Sequence, residues 1–160
     1  MSSLKKAHAP TDTTSALLHF VQKAFIIHRR RLLLVRKADT DPHYPGYWDF
    51  PGGGMIAGEN VDEHIVREVW EETGISITPG KPFHIWQWEM PWPASSESSR
   101  IYVVAVARHC RPDSFEATTC HQMPSDHLAD VQWVPLSDLD SYKIIPNHKP
   151  AFEEFLGSLR

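Results

Sequence analysis

The feature that most constrains this chain is a helical segment over residues 60–73, followed at once by Gly74. Asn60 is suited to the N-cap, with Glu63 three residues later in a capping-box arrangement, and glycine often ends a helix. Apolar side chains recur every four positions and predict one buried stripe, formed by Val61, Ile65 and Val69. The segment is therefore predicted to be an amphipathic helix with one face in a protein core.

Runs rich in β-forming residues lie on both sides of this helix and predict strands, at residues 17–28, 32–36, 48–50, 83–90, 101–108 and 131–134. The arginines at 29–31 predict a hairpin tip between the first two strands, and residues 151–156 predict a second amphipathic helix. Neither an internal repeat nor a linker divides the chain. We therefore expect a flexible arm over residues 1–14 and a single α/β domain over residues 15–160.

Charge and cysteine usage exclude several classes of protein. The chain has 16 Lys and Arg against 20 Asp and Glu, with a formal net charge of −4, which argues against binding duplex nucleic acid through a broad basic surface. No apolar run approaches the roughly 20 residues that a membrane span needs. Cys110 and Cys120 lack metal-ligand spacing, and we interpret them as free thiols in a reducing cytosol. The sequence predicts a cytoplasmic protein and leaves open whether it is a monomer or a homodimer.

The negative charge is concentrated in the helical segment and the residue before it. Residues 59–72 hold six acids and one arginine, a formal charge of −5, whereas the rest of the chain carries 14 acids and 15 bases. Glu68, Glu71 and Glu72 fall within an arc of about 100° on the helix. Like charges at these spacings repel, and acids near a helix C-terminus oppose its dipole. Either this face is a solvated acidic surface, or its carboxylates bind a hard divalent cation such as Mg²⁺ or Mn²⁺.

The glycine loop at residues 51–54 favours the cation, because glycine lets the backbone approach a ligand closely. Together the loop and the helix resemble the sequence box of the Nudix hydrolases, GX5EX7REUXEEXGU, in which U is aliphatic. The match runs from Gly53 through Glu59 and Arg67 to Ile75, with every fixed and aliphatic position met. The resemblance implies an α/β/α sandwich with a mixed central sheet. It also implies metal-dependent hydrolysis of a nucleoside diphosphate linked to another group.

The resemblance implies roles for individual residues as well. The implied ligands of Mg²⁺, or of Mn²⁺ as a substitute, are Gly52, Glu68, Glu71 and Glu72. The implied catalytic residues are Glu68 or Glu71 as general base together with Arg67, which we expect to pair with Glu59 and hold the loop on the helix. The structural positions of the box are Gly53, Glu59 and Gly74.

Two further groups of residues lie outside the box. Members of the family often carry another glutamate six residues before the tryptophan that matches Trp133, and this chain has His127 there. His127 is either a functional histidine or a surface residue on a mobile loop. Trp48, Trp86 and Trp88 are candidates to hold a nucleobase or a sugar, although packing within a sheet is the simpler role for them.

The sequence leaves the substrate open within one chemical class, the small-molecule nucleotides. A nucleoside triphosphate, normal or oxidised, is the first hypothesis. A nucleotide sugar, ADP-ribose or a dinucleotide is the alternative within the same family. A nucleotide-sensing domain without catalysis is the alternative of another class, and the complete set of box carboxylates counts against it.

Overall fold

The computed structural model describes residues 16–91 and 100–160. The arm predicted over residues 1–14 lies outside the described residues. The strands are β1 (Ala16–His28), β2 (Arg31–Lys37), β3 (Trp48–Asp49), β4 (Ile77–Pro91), β5 (Arg100–Pro112) and β6 (Leu128–Pro135). The helices are α1 (Val61–Thr73) and α2 (Lys149–Ser158), with two short 3₁₀ helices at Leu136–Ser141 and Pro146–His148. None of the described helices is long and apolar enough to cross a membrane.

The strands form a mixed sheet in the order β3-β2-β1-β5-β4, with β6 paired to β2. β1 and β5 run parallel from the pair Ala16–Arg100 to the pair Ile26–Cys110, whereas β4 is antiparallel to β5. β2 pairs with β1 only at the hairpin end and is antiparallel to β6 along its length. The mixed central sheet is as predicted.

The predicted hairpin tip between β1 and β2 is confirmed, and it consists of Arg29 and Arg30. Arg29 and Arg30 have positive φ values of 47° and 59°, and Arg31 already belongs to β2. Two left-handed residues in succession form the type of two-residue turn that matches the twist of the flanking strands. The arginines therefore lie where the chain reverses.

The two faces of β1 carry the two halves of the core. Ala24 and Ile26 belong to an apolar cluster with Ile65 and Val69 of α1. The alternate residues Val21 and Phe25 belong to a second cluster that includes α2. Because successive side chains of a strand point to opposite faces, the sheet lies between the two helices, as the α/β/α prediction requires.

The buried face of α1 is more polar than predicted. Ile65 and Val69 are buried, but Val61 is 47% exposed, so its place in the predicted stripe was wrong. Helical spacing places Val61 on the same side of α1 as Ile65 and Val69. However, Val61 is the first residue of the helix, and its exposure shows that the N-terminal end of α1 extends past the core. Three polar side chains four residues apart are buried instead, namely His64, Glu68 and Glu72.

Truncation of Phe155 tests whether α2 is part of the core. Phe155 is fully buried, with its ring centroid 5.1 Å from that of Phe25. Phe155→Ala is expected to lower the free energy of unfolding by about 3–5 kcal/mol, because it removes apolar contacts and leaves a cavity. Glu154→Ala, on the exposed side of the same helix, is the control and should change it by less than about 0.5 kcal/mol. Urea denaturation measures both, and similar values for the two variants would contradict this packing.

Candidate active site

The glycine loop lies against the edge of β1 that β2 leaves open. Backbone hydrogen bonds join Gln22 N to Gly53 O at 3.1 Å and Ala24 N to Pro51 O at 2.8 Å. Gly52 has a φ of 131°, and a Cβ at this position would collide with the carbonyl oxygen of Gln22. Glycine is therefore required for the loop to lie this close to the strand.

Lys23 is buried beneath this loop and joins three parts of the chain. Its Nζ lies 2.9 Å from Asp49 Oδ2 and donates hydrogen bonds to the carbonyl oxygens of Phe50 at 3.2 Å and Gly52 at 3.0 Å. Burial alone would lower the pKa of Lys23, but the carboxylates of Asp49 and Glu72 outweigh it and hold the pKa above its ordinary value. One ammonium group thus connects β1, β3 and the glycine loop.

The carboxylate of Asp49 is satisfied on both oxygens. Oδ1 accepts a hydrogen bond from Phe50 N at 2.7 Å and lies 3.1 Å from His148 Nε2. Burial would raise the pKa of Asp49, but Lys23 and His148 hold it well below its usual range. A buried charge is tolerated when it is paired and hydrogen-bonded in this way.

Two carboxylates of α1 lie on the other side of the glycine loop. Glu72 Oε2 accepts a hydrogen bond from Gly52 N at 3.0 Å, and a Cβ on Gly53 would lie 2.8 Å from Glu68 Oε2. Burial raises the pKa of Glu72 to about 8 and raises the pKa of Glu68 as well. A cation bound nearby would stabilise the charged form of both carboxylates.

Arg67 contacts three acids of the box. Its Nε lies 2.6 Å from Glu59 Oε1 and its Nη2 3.1 Å from Glu59 Oε2, so the expected pair is present and is bidentate. Its Nη1 lies 3.0 Å from Glu71 Oε2 and 3.2 Å from Glu68 Oε1. The hydrogen bonds from Arg67 lower the pKa of Glu59 to about 2. Glu71 is therefore held by Arg67.

A cleft of about 680 Å³ opens beside the buried carboxylates. The residues of the glycine loop and of α1 that line it are Gly52, Gly53, Gly54, Glu68 and Glu72, whereas Glu71 lies outside the lining. Lys37, Asp126 and Trp88 line it as well. The cleft has the volume of a small-molecule site, and its walls combine acids, two lysines and an indole ring.

The predicted metal ligands therefore differ in what they contact. Glu68 and Glu72 face the cleft together, but Glu71 is turned towards Arg67. The carbonyl oxygen of Gly52 accepts a hydrogen bond from the Lys23 ammonium group. Gly74 ends α1 with a φ of 68°, as predicted.

The three candidate tryptophans also differ. Trp88 lines the cleft. Trp86 is buried in the core, and its Nε1 donates a hydrogen bond to the carbonyl oxygen of Asn147 at 2.8 Å. Trp48 packs edge-on against Tyr142 with ring centroids 5.0 Å apart. Trp86 and Trp48 thus have packing contacts, and neither lines the cleft.

His127 is turned towards the loop that follows β2. Its Nδ1 lies 3.3 Å from Thr40 Oγ1, and its carbonyl oxygen accepts a hydrogen bond from Ala38 N at 2.6 Å. The preceding residue, Asp126, lines the cleft. The carbonyl oxygen of Asp126 accepts a hydrogen bond from Lys37 Nζ at 3.1 Å. Asp126 is therefore the acid of this loop that lines the cleft, and it lies one residue before His127, the residue predicted from the sequence.

Lys23, Asp49 and His148 were not predicted as site residues from the sequence. Lys23 is a single cation within an otherwise uncharged run of β1, and Asp49 lies between two aromatic residues. Charged residues in such positions are seldom buried without a partner, so each could have predicted the other. His148 follows β3 by almost 100 residues, and no local pattern indicates that it contacts Asp49.

The Nudix domain profile matches residues 19–155 of this chain. The chain belongs to the Nudix hydrolase family. A MutT-like protein of Streptomyces ambofaciens is 41% identical over 129 residues, which are 76% of this chain and 74% of that protein. The nucleoside triphosphatase NudI of Escherichia fergusonii is 27% identical over 122 residues, 70% of this chain and 78% of that protein. The structure of a MutT protein from Methanosarcina mazei Go1 matches with a TM-score of 0.67 at 21% identity, covering 92% of this chain and 99% of that one.

The buried pair of Lys23 and Asp49 provides a stability test of this Nudix hydrolase. Lys23→Met is expected to lower the free energy of unfolding by about 3–5 kcal/mol, because it leaves the Asp49 carboxylate buried without its ammonium partner. Adding Asp49→Asn should recover roughly 1–2 kcal/mol of that loss. Urea denaturation of the wild type, both single variants and the double variant measures the coupling. Losses that add to within about 0.5 kcal/mol would mean that the two side chains act independently.

Proposed function

We propose that this Nudix hydrolase cleaves the phosphoanhydride of a nucleoside diphosphate linked to another group, with a nucleoside triphosphate as the preferred substrate and Mg²⁺ as cofactor. The observation that carries the proposal is that the buried carboxylates Glu68 and Glu72 open on one cleft with Lys37 and Trp88. These side chains supply the groups that a metal–nucleotide complex needs, namely oxygen ligands, a positive charge and an aromatic surface.

The donors of the cleft fit a hard divalent cation. Across residues 16–91 and 100–160, no three His, Cys, Asp or Glu side chains are gathered as a metal-binding group. Of the carboxylates proposed as ligands, those of Glu68 and Glu72 line the cleft. Mg²⁺ is commonly held by one or two carboxylates together with waters and substrate phosphates. When bound, it would neutralise phosphate oxygens and make the phosphorus easier to attack. The raised pKa of Glu72 is also what a cation would offset.

The chain's own residues divide the remaining tasks. Glu68 is the better placed of the two candidate bases to take the proton of the attacking water, because Arg67 contacts both carboxylates but only Glu68 lines the cleft. Lys37 offers a positive charge to phosphate oxygens, and Trp88 offers an indole face to a nucleobase. The pair of Arg67 and Glu59 holds the helix to the residues that follow the glycine loop.

The preference for a nucleoside triphosphate is supported by the relative NudI, whose name describes a nucleoside triphosphatase. Nucleotide sugars, ADP-ribose and dinucleotides share the same diphosphate and remain the alternative substrates. Catalysis is favoured over nucleotide sensing because the carboxylates needed for hydrolysis are present and two of them reach the cleft.

A product screen tests the reaction and the substrate class together. The purified protein is expected to form a nucleoside monophosphate from at least one nucleoside triphosphate, to stop in excess EDTA and to recover with Mg²⁺. The panel should include oxidised triphosphates, nucleotide sugars, ADP-ribose and dinucleotides, with Mn²⁺ compared. Faster cleavage of ADP-ribose or a nucleotide sugar would reject the preferred substrate, and tight nucleotide binding without any product would reject catalysis.

Isosteric variants on one helix test the two carboxylates. Glu68→Gln and Glu72→Gln are each expected to lower kcat by about 100-fold or more, because the charged form is lost at the cleft. Glu63→Gln removes the same charge from an exposed position of α1 and should leave kcat nearly unchanged. Circular dichroism confirms that all three are folded. Equal rates for Glu68→Gln and Glu63→Gln would contradict the assignment.

A further inference from the structure

His64 is a buried histidine of α1 with one ring nitrogen that lacks a partner. Its side chain is fully buried, one helical turn before Glu68 and two turns before Glu72. Its Nδ1 lies 2.7 Å from Gln22 Nε2, whereas its Nε2 has no hydrogen-bond partner among the described residues. A polar atom buried without a partner lowers stability, so an orphan beside the cleft carboxylates requires an explanation.

The side chain of Gln22 is fixed in one orientation by its partners. Its Oε1 lies 3.2 Å from Nη1 of Arg108, a group that can only donate. Its Nε2 lies 2.7 Å from the carbonyl oxygen of Val61, which can only accept. Arg108 is itself held by Gly80 O at 2.9 Å and by Asp62 Oδ1 at 2.6 Å. A flipped amide would place two donors together and two acceptors together, so the orientation is determined.

This orientation determines the tautomer of His64. Because Gln22 Nε2 donates towards His64 Nδ1, that nitrogen must be unprotonated, and the neutral ring carries its proton on Nε2. Nε2 lies 3.9 Å from Glu68 Oε1, the oxygen that also accepts a hydrogen bond from Arg67. A shift of the Glu68 side chain by about 1 Å would bring the two atoms within hydrogen-bond distance.

We propose that His64 is a positioning residue for Glu68, donating its Nε2 proton to that carboxylate, with its tautomer set by Arg108 through Gln22. The inference rests on the proposed function, in which Glu68 helps to hold the cation and takes the proton of the attacking water. A hydrogen-bond donor to a catalytic carboxylate favours the charged form of that carboxylate and limits the rotation of its side chain. His64 touches neither the substrate nor the cation and acts only through Glu68.

Histidine tautomers can be read directly in the metal-free protein. Long-range ¹H–¹⁵N correlation spectra of ¹⁵N-labelled wild type are expected to show His64 as a neutral ring protonated on Nε2, and His64→Asn assigns the signal by its disappearance. A ring protonated on Nδ1, or on both nitrogens, would overturn the inference. This readout requires neither bound metal nor activity.

A matched pair of variants separates positioning from packing. In His64→Gln the side-chain amide reaches the place of Nε2 and keeps a donor for Glu68, whereas in His64→Asn the shorter amide keeps a partner for Gln22 only. We expect His64→Asn to weaken Mn²⁺ affinity or lower kcat by about 10- to 100-fold, with KM for the nucleotide unchanged. His64→Gln should stay within a few-fold of wild type.

A merely structural role predicts the opposite order, because His64→Asn preserves the contact with Gln22. Equal values for the two variants, or a larger loss in His64→Gln, would overturn the inference, and thermal unfolding confirms that both variants are folded. Failure of the wild type to bind Mn²⁺ and to hydrolyse any nucleotide would instead reject the proposed function. That outcome is distinguishable, because the tautomer is measured without either property.

Discussion

The ion pair between Lys23 and Asp49 is the interaction on which the rest of the candidate site depends. A lysine in the middle of a buried strand is costly unless its charge is matched, and here Asp49 matches it while two backbone carbonyls take its remaining hydrogen bonds. One of these carbonyls belongs to Gly52, so the ammonium group that pairs with Asp49 in the core also anchors the glycine loop. His148 completes the network from the residues that lead into α2.

The position of the loop determines what the acidic helix can do. Gly52 offers its N–H to Glu72, and Gly53 leaves room for the carboxylate of Glu68. Arg67 meanwhile binds Glu59 and Glu71. Glu68 and Glu72 face the cleft, whereas Glu59 and Glu71 do not line it, and Arg67 contacts Glu68 as well. A cation bound at the cleft would favour the charged forms of both cleft carboxylates.

Local patterns were sufficient to predict the main elements of the fold. Apolar periodicity indicated α1, runs rich in β-forming residues indicated the strands, and Gly74 ended the helix as expected. The predicted strand began at residue 83, whereas β4 begins at Ile77 and accommodates Pro79 and Pro82 by irregular pairing with β5. Val61 was misplaced because a helical angle does not tell how far the core extends along a helix.

The site was less predictable because its contacts join distant parts of the chain. The box indicated Glu68 and Glu72, and the four-residue spacing of Arg67 and Glu71 is one at which helix side chains pair, although we expected only Glu59 as the partner of Arg67. The buried contacts of His64 depend on Gln22, 42 residues away, and those of Asp49 on His148. Short-range patterns carry no information on such pairs, and only the register of β1 against the loop and the helix brings them together.

Glu68 and Glu72 are buried carboxylates that we propose hold a divalent cation. The most direct test is the thermal unfolding of wild type, Glu68→Gln, Glu72→Gln and Glu63→Gln across a Mg²⁺ titration without nucleotide. A cation that binds only the folded protein raises its Tm with concentration, so wild type and Glu63→Gln should show this rise and the two cleft variants should lose it. An equal rise in all four proteins, or none in wild type, would contradict the account.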